Sequence, residues 1–166
     1  MSTLPQVRRN RTVLILEADE GALEVARGFL TMNRFDAVCE RDLKSALLAA
    51  TGKSRPDAVL LNFRLHREVT TELVRKIRQH ESDSKCDRLP LIVTSAVLDV
   101  DWTKDSLAAG ADRVLPMPFS ERQLLAEVAG AISDARYFHL RGDPVYEFAR
   151  SLDVDDDDGP GFVQLH

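Results

Sequence analysis

Cysteine is nearly missing from this chain: Cys39 and Cys86 are the two it has, and neither their number nor their spacing suits a disulfide framework or a zinc site. The expected setting is therefore reducing and cytoplasmic. Histidine is almost as sparse. His66, His80, His139 and His166 show no pairing at metal-ligand spacing, so no metal and no cofactor are expected. A long apolar run is also missing, since Val13 to Leu16, behind Arg8, Arg9 and Arg11, is far shorter than a signal or membrane segment. No membrane partner is expected. Finally, positive charge is not in excess: the formal net charge of -5 offers no field to a phosphate backbone, which argues against a nucleic-acid partner.

What is present suits one globular unit. The 166 residues, 44% of them hydrophobic, can fill one ordinary core. Short apolar runs alternate with longer stretches of helical period, the pattern of repeated βα units that build a parallel sheet covered on both faces. Five strands are expected: Val13 to Glu17, Phe35 to Cys39, Ala58 to Asn62, Leu91 to Ser95 and, weaker, Arg113 to Leu115. The connections carry inward stripes at i, i+3, i+4 and i+7. These are Ala22, Val25, Ala26 and Phe29; Leu43, Ala46, Leu47 and Ala50; Thr70, Leu73, Val74 and Ile77; and Leu125, Val128, Ala129 and Ile132. Ser120 and Gln123 form a capping box at the start of the last helix. Gly52 and Gly110 read as helix ends in the left-handed conformation.

The fourth helix, roughly 101–109, breaks the pattern, because Thr103 and Ser106 stand where Leu107 would need apolar neighbours. With Leu107 facing inward, Trp102 falls about 140° round the helix and points away from the core. Trp102 is then a candidate partner contact; otherwise it precedes the helix and folds over the domain edge. Beyond residue 133, Asp143 and Pro144 read as N-cap and first helical position, with a turn just before them. Val145, Phe148, Ala149 and Leu152 then give a short amphipathic stripe, followed by the acidic run Asp153 and Asp155 to Asp158. Two turns are unstable alone, so that stripe must dock on this chain or on a partner. The expected organisation is a basic arm over residues 1–11, a domain over 12–133 and an extension over 134–166.

In a doubly wound sheet, function collects outside the carboxyl ends of the strands. Those ends carry Glu17, Ala18, Asp19 and Glu20, then Asn62, then Ser95, then Met117 and Pro118. Over about residues 12–133 the strings VLILEADEGALE, RPDAVLLNFRL, PLIVTSA and GADRVLPMPF resemble the receiver domains of two-component signalling. The resemblance implies a CheY-like, flavodoxin-like α/β fold: a doubly wound five-stranded parallel sheet of order 2-1-3-4-5, here with a C-terminal extension. In that family two acids after the first strand hold magnesium, an aspartate after the third accepts a phosphoryl group, and a hydroxyl and a lysine hold its oxygens. Carried over by position, the acids fall on Glu17 and Ala18, the acceptor on Asn62, the hydroxyl on Ser95 and the lysine on Met117. The aromatic switch position falls on Val114. The Met117-Pro118 bond, by the same resemblance, is expected to be cis.

The substitutions can be weighed by their chemistry. An amide nitrogen is delocalised and uncharged, so Asn62 is no nucleophile toward phosphorus. Magnesium demands hard, near-octahedral oxygen, and Ala18 and Asn62 remove two of its three expected ligands. Met117 supplies no charge to offset that of a transferred group. The expectation is a pseudo-receiver: a phosphorylation-independent, non-enzymatic module that binds a signalling or regulatory protein. The resemblance favours the fourth helix, fifth strand and fifth helix as the surface, for a partner or a homodimer, with Trp102, Val114 and Arg122 to the fore. Val145, Phe148 and Leu152 offer a second surface. The alternatives are a working phosphoacceptor with unusual residues and a small-molecule sensor using the emptied pocket.

Overall fold

The computed structural model describes residues 9–62, 67–95 and 100–140. Its elements run β1 (Arg11–Leu16), α1 (Glu20–Met32), β2 (Phe35–Glu40), α2 (Leu43–Thr51), β3 (Ala58–Asn62), α3 (Arg67–Ser84), β4 (Leu91–Ser95), α4 (Val100–Ala109), β5 (Arg113–Pro116) and α5 (Glu121–Leu140). All strand pairs are parallel, in the order β2-β1-β3-β4-β5. The expected sheet is thus observed, with β1 ending on Leu16 rather than Glu17. Helix α5 continues to Leu140, past the position at which the extension was expected to begin.

Burial follows from that order. The central strands β3 and β4 are buried at every position, as expected of parallel strands covered on both faces. Alternation along the strands divides the core in two. Leu14, Leu16, Val59, Leu61, Leu91 and Val93 face α2, α3 and α4. Val13, Ile15, Ala58, Leu60 and Ile92 face α1 and α5.

The α2 and α3 stripes lie inward as expected, with Leu43 and Leu47 only partly covered. Two other stripes are rotated by about one residue. In α1 the buried residues are Leu23, Ala26 and Leu30, while Val25 is exposed. In α5 they are Leu124, Val128, Ala131 and Ile132, and Ala129 is exposed. Both helices carry adjacent apolar pairs, so two overlapping stripes satisfy the same arithmetic, and tertiary packing selects between them. The capping box is present: Gln123 N–H donates to Ser120 Oγ at 3.2 Å, and Ser120 N–H donates to Gln123 Oε1 at 2.8 Å.

Helix α4 inverts the expectation. Trp102 lies inside the helix, is only 1% exposed and packs with Val93 and Ala111 in the α2–α4 side of the core. Leu107 is 47% exposed. The two side chains do lie far apart around the axis, but the indole buries far more apolar surface than a leucine and therefore takes the inward face, with Ser106 one turn on. Trp102 is not a surface contact and does not precede the helix. Gly52 also differs, with φ at -74° rather than positive. A Cβ there would lie 2.9 Å from the Leu48 carbonyl oxygen, which explains glycine without a left-handed turn. Gly110 has φ +117°, as expected.

Candidate functional site

The carboxyl ends of β1, β3, β4 and β5 meet above the sheet and bring the expected residues together. Glu17 follows the last residue of β1, Asn62 closes β3, Ser95 closes β4, and Met117 follows β5. Glu17, Asn62 and Ser95 are buried, at 4%, 3% and 2% exposure. Asn62 stands in register with Thr94, whose hydroxyl donates to the Leu61 carbonyl at 3.4 Å. The Met117-Pro118 bond is cis, and Met117 N–H donates to the Ser95 carbonyl at 2.6 Å, fixing the β5 exit against the end of β4.

The chain reverses sharply after Glu17. Its Oε1 accepts the Asp19 N–H at 2.8 Å, and Asp19 caps α1 by accepting the Ala22 N–H at 2.8 Å. Glu20, the first residue of α1, pairs with Arg41 at the surface. Ala18, Asp19 and Glu20 are exposed, so Glu17 is the carboxylate of this turn that reaches the buried side. Between Glu17, Asn62, Met117, Phe119 and Thr94 lies a cavity of about 10 Å³. That is about the space of a single water molecule, well below the hundreds of Å³ of a small-molecule site.

The remaining expected residues are not part of this cluster. Val114 is half-buried against the α2–α4 side of the core, and Arg122 is exposed near the start of α5. Val145, Phe148 and Leu152 lie outside the described residues. Val100, not singled out by sequence, and Leu107, expected to face inward, are 67% and 47% exposed on α4. Their i, i+7 spacing places them on one face of the helix. The signal was available in that spacing, but an inward role assigned to Leu107 hid it.

The model of the response regulator receiver domain matches residues 13–129. This chain belongs to that family. The receiver domain is 33% identical over 116 residues to the response regulator MprA of Mycolicibacterium vanbaalenii, an alignment covering 70% of this chain and 48% of that protein. The corresponding protein of Mycobacterium leprae is 32% identical over 116 residues, with the same coverage. The chain thus spans about half the length of the curated relatives it matches. Among solved structures, a CheY-like receiver from Methanospirillum hungatei superposes with a TM-score of 0.66 at 19% identity, covering 77% of this chain and 98% of that one. A response regulator from Thermotoga maritima gives a TM-score of 0.64 at 22% identity, covering 75% and 98%.

Receivers of this family are expected to hold magnesium beside the acceptor, and the residues here fit it poorly. One buried carboxylate, already accepting a main-chain N–H, and one amide make up the side-chain oxygen donors of the Glu17, Ala18 and Asn62 set. Among the described residues no group of three or more His, Cys, Asp or Glu is placed to hold a metal ion, and no helix is long and apolar enough to cross a membrane.

Proposed function

We propose that this receiver domain acts in two-component signalling without being phosphorylated, as a module that binds another signalling or regulatory protein. The observation that carries the reading is Asn62: an amide at the carboxyl end of β3, buried at 3% exposure, at the position where the family keeps its acceptor carboxylate. Transfer to an aspartate proceeds because a carboxylate oxygen can attack phosphorus and form an acyl phosphate. The Asn62 amide has neither the charge nor the available lone pair for that step. Met117, a neutral thioether, offers no cation where transferred charge would need one, and catalysis of phosphoryl transfer is almost wholly positioning and electrostatics.

The changes support one another energetically. Buried charge is costly unless paired. With Ala18 and Asn62 in place of acids, a lysine at 117 would have lost most of its counter-charge, and methionine avoids that cost. The result is a tightly closed, nearly neutral cluster. Its cavity of about 10 Å³ argues against the alternative of a small-molecule sensor acting through this site.

The binding surface we favour is the α4–β5–α5 face, for a partner or a second copy of the chain. Val100 and Leu107 expose an apolar stripe on α4, and Arg122 is exposed at the start of α5. Incubation of the protein with magnesium and acetyl phosphate, followed by intact-mass measurement, should leave the mass unchanged. A gain of one phosphoryl group overturns the reading. For the surface, Leu107→Glu and Arg122→Ala should each weaken capture of a cognate partner or self-association while leaving the fold intact.

A further inference from the structure

A concavity lies at the opposite end of the sheet from the Glu17, Asn62 and Ser95 cluster. It is a groove of about 520 Å³ between the amino ends of β3 and β4 and the second half of α5. Its apolar wall is made by Pro56, Leu89, Pro90, Ile132 and Ala135. Arg55, Arg88 and Arg136 stand at its rim with Asp57 and Asp87, three cations to two anions. Arg55 and Arg88 already pair with Glu81 and Asp112. Arg136 is exposed and makes no ion pair among the described residues. Asp57 is engaged by the Thr12 N–H at 2.7 Å.

The chain itself leads to this groove. Helix α5 passes Ile132, Ala135 and Arg136 and runs one further turn to Leu140. Arg141, Gly142 and Asp143 follow in the sequence and read as a turn and N-cap of the length expected to join antiparallel helices. The apolar stripe from Val145 to Leu152 would rise ~11 Å as a helix, about the rise from Leu140 back to Ile132 on α5. A helix returning alongside α5 would therefore bring Phe148 and Leu152 level with the groove.

We propose that residues 145–152 of this chain occupy the groove, with Phe148 and Leu152 against the apolar wall that Leu89, Ile132 and Ala135 help to form. Length and apolar spacing match, and the docking supplies the tertiary contact that a two-turn helix needs to persist in water. This inference does not depend on whether Asn62 accepts phosphorus.

The test is amide hydrogen exchange and ¹⁵N-resolved NMR on the full 166-residue chain. Amides 145–152 should exchange at least about tenfold more slowly than in a free peptide, as a mostly docked segment requires. Phe148→Asp with Leu152→Asp should abolish that protection and shift the resonances of Leu89, Ile132 and Ala135. From the groove side, Ala135→Glu should release the same segment. If the double variant leaves the groove resonances unmoved, or if the protection scales with protein concentration and so reports a second copy, the proposal fails.

Discussion

The two ends of the sheet bury polar groups by opposite means. At the carboxyl end, Glu17, Asn62, Thr94 and Ser95 are all buried, yet the cluster holds one carboxylate, which accepts the Asp19 main-chain N–H. At the amino end, charge is dense and matched. Arg78, its side chain 14% exposed, donates to Glu81, to Asp112 and to the Leu89 and Gly110 carbonyls. Glu81 also accepts from Arg55 and from the Leu89 N–H, and Asp112 accepts from Arg88 and from the Leu91 N–H. That network ties α3 to the starts of β4 and β5. A buried charge is tolerable only when its partners are complete, and this molecule meets the rule with a matched network at one end and mostly uncharged groups at the other.

Four measurements would sharpen or break the contrast. The largest effect should come from Trp102, which fills the apolar side above the carboxyl half of the sheet. Trp102→Ala should lower unfolding free energy by about 4 kcal/mol, read from urea denaturation. At the amino end, Glu81→Ala would leave Arg78 and Arg55 short of a counter-charge and the Leu89 N–H without its acceptor. It should cost about 3 kcal/mol, and Glu81→Gln, which keeps an acceptor, should cost roughly half of that. A Glu81→Gln variant as stable as the parent protein would mean the charge at this end contributes nothing.

Restoring an acid at the carboxyl end should be smaller but diagnostic. In Asn62→Asp the new carboxyl is buried beside Glu17, which raises its folded pKa above the unfolded value. The penalty, about 2 kcal/mol at neutral pH, is present above the folded pKa and vanishes as pH falls below the ordinary aspartate value near ~4. A penalty that does not change with pH would show that the pocket accommodates charge, against the contrast drawn here. The smallest effect belongs to Asp42, the exposed N-cap of α2. The Ser45 hydroxyl and N–H hold its carboxyl below the usual range. Its contribution is present above the unfolded aspartate value and is lost as pH falls through the lowered folded one. Asp42→Asn should therefore slightly flatten the acid limb of the stability profile, with little change at neutral pH.

Much of this was legible in the residues. Strands rich in Val, Ile and Leu announced a parallel sheet, and their ends in the sequence already placed Asn62, Ser95 and Met117 at its carboxyl side. Less legible were the helix faces. In α1 and α5, paired apolar residues leave the phase open by one position. In α4 the sequence offers one large aromatic and one leucine on opposite sides, with polar neighbours around both, and periodicity has no means of ranking them. The amino-end network was invisible for a different reason. Arg55, Arg78, Glu81, Arg88 and Asp112 come from separate βα units, and only Arg78 and Glu81 share a helix at contact spacing.

By itself, then, the sequence determined the alternation of strands and helices and the chemistry available at each strand end, because both depend on local residue identity and order. Which face of α4 is buried, how the arginines of one end find their acids, and how little space remains around Asn62 were decided by tertiary packing. Those outcomes depend on distances between segments remote in the chain, and no local pattern encodes them.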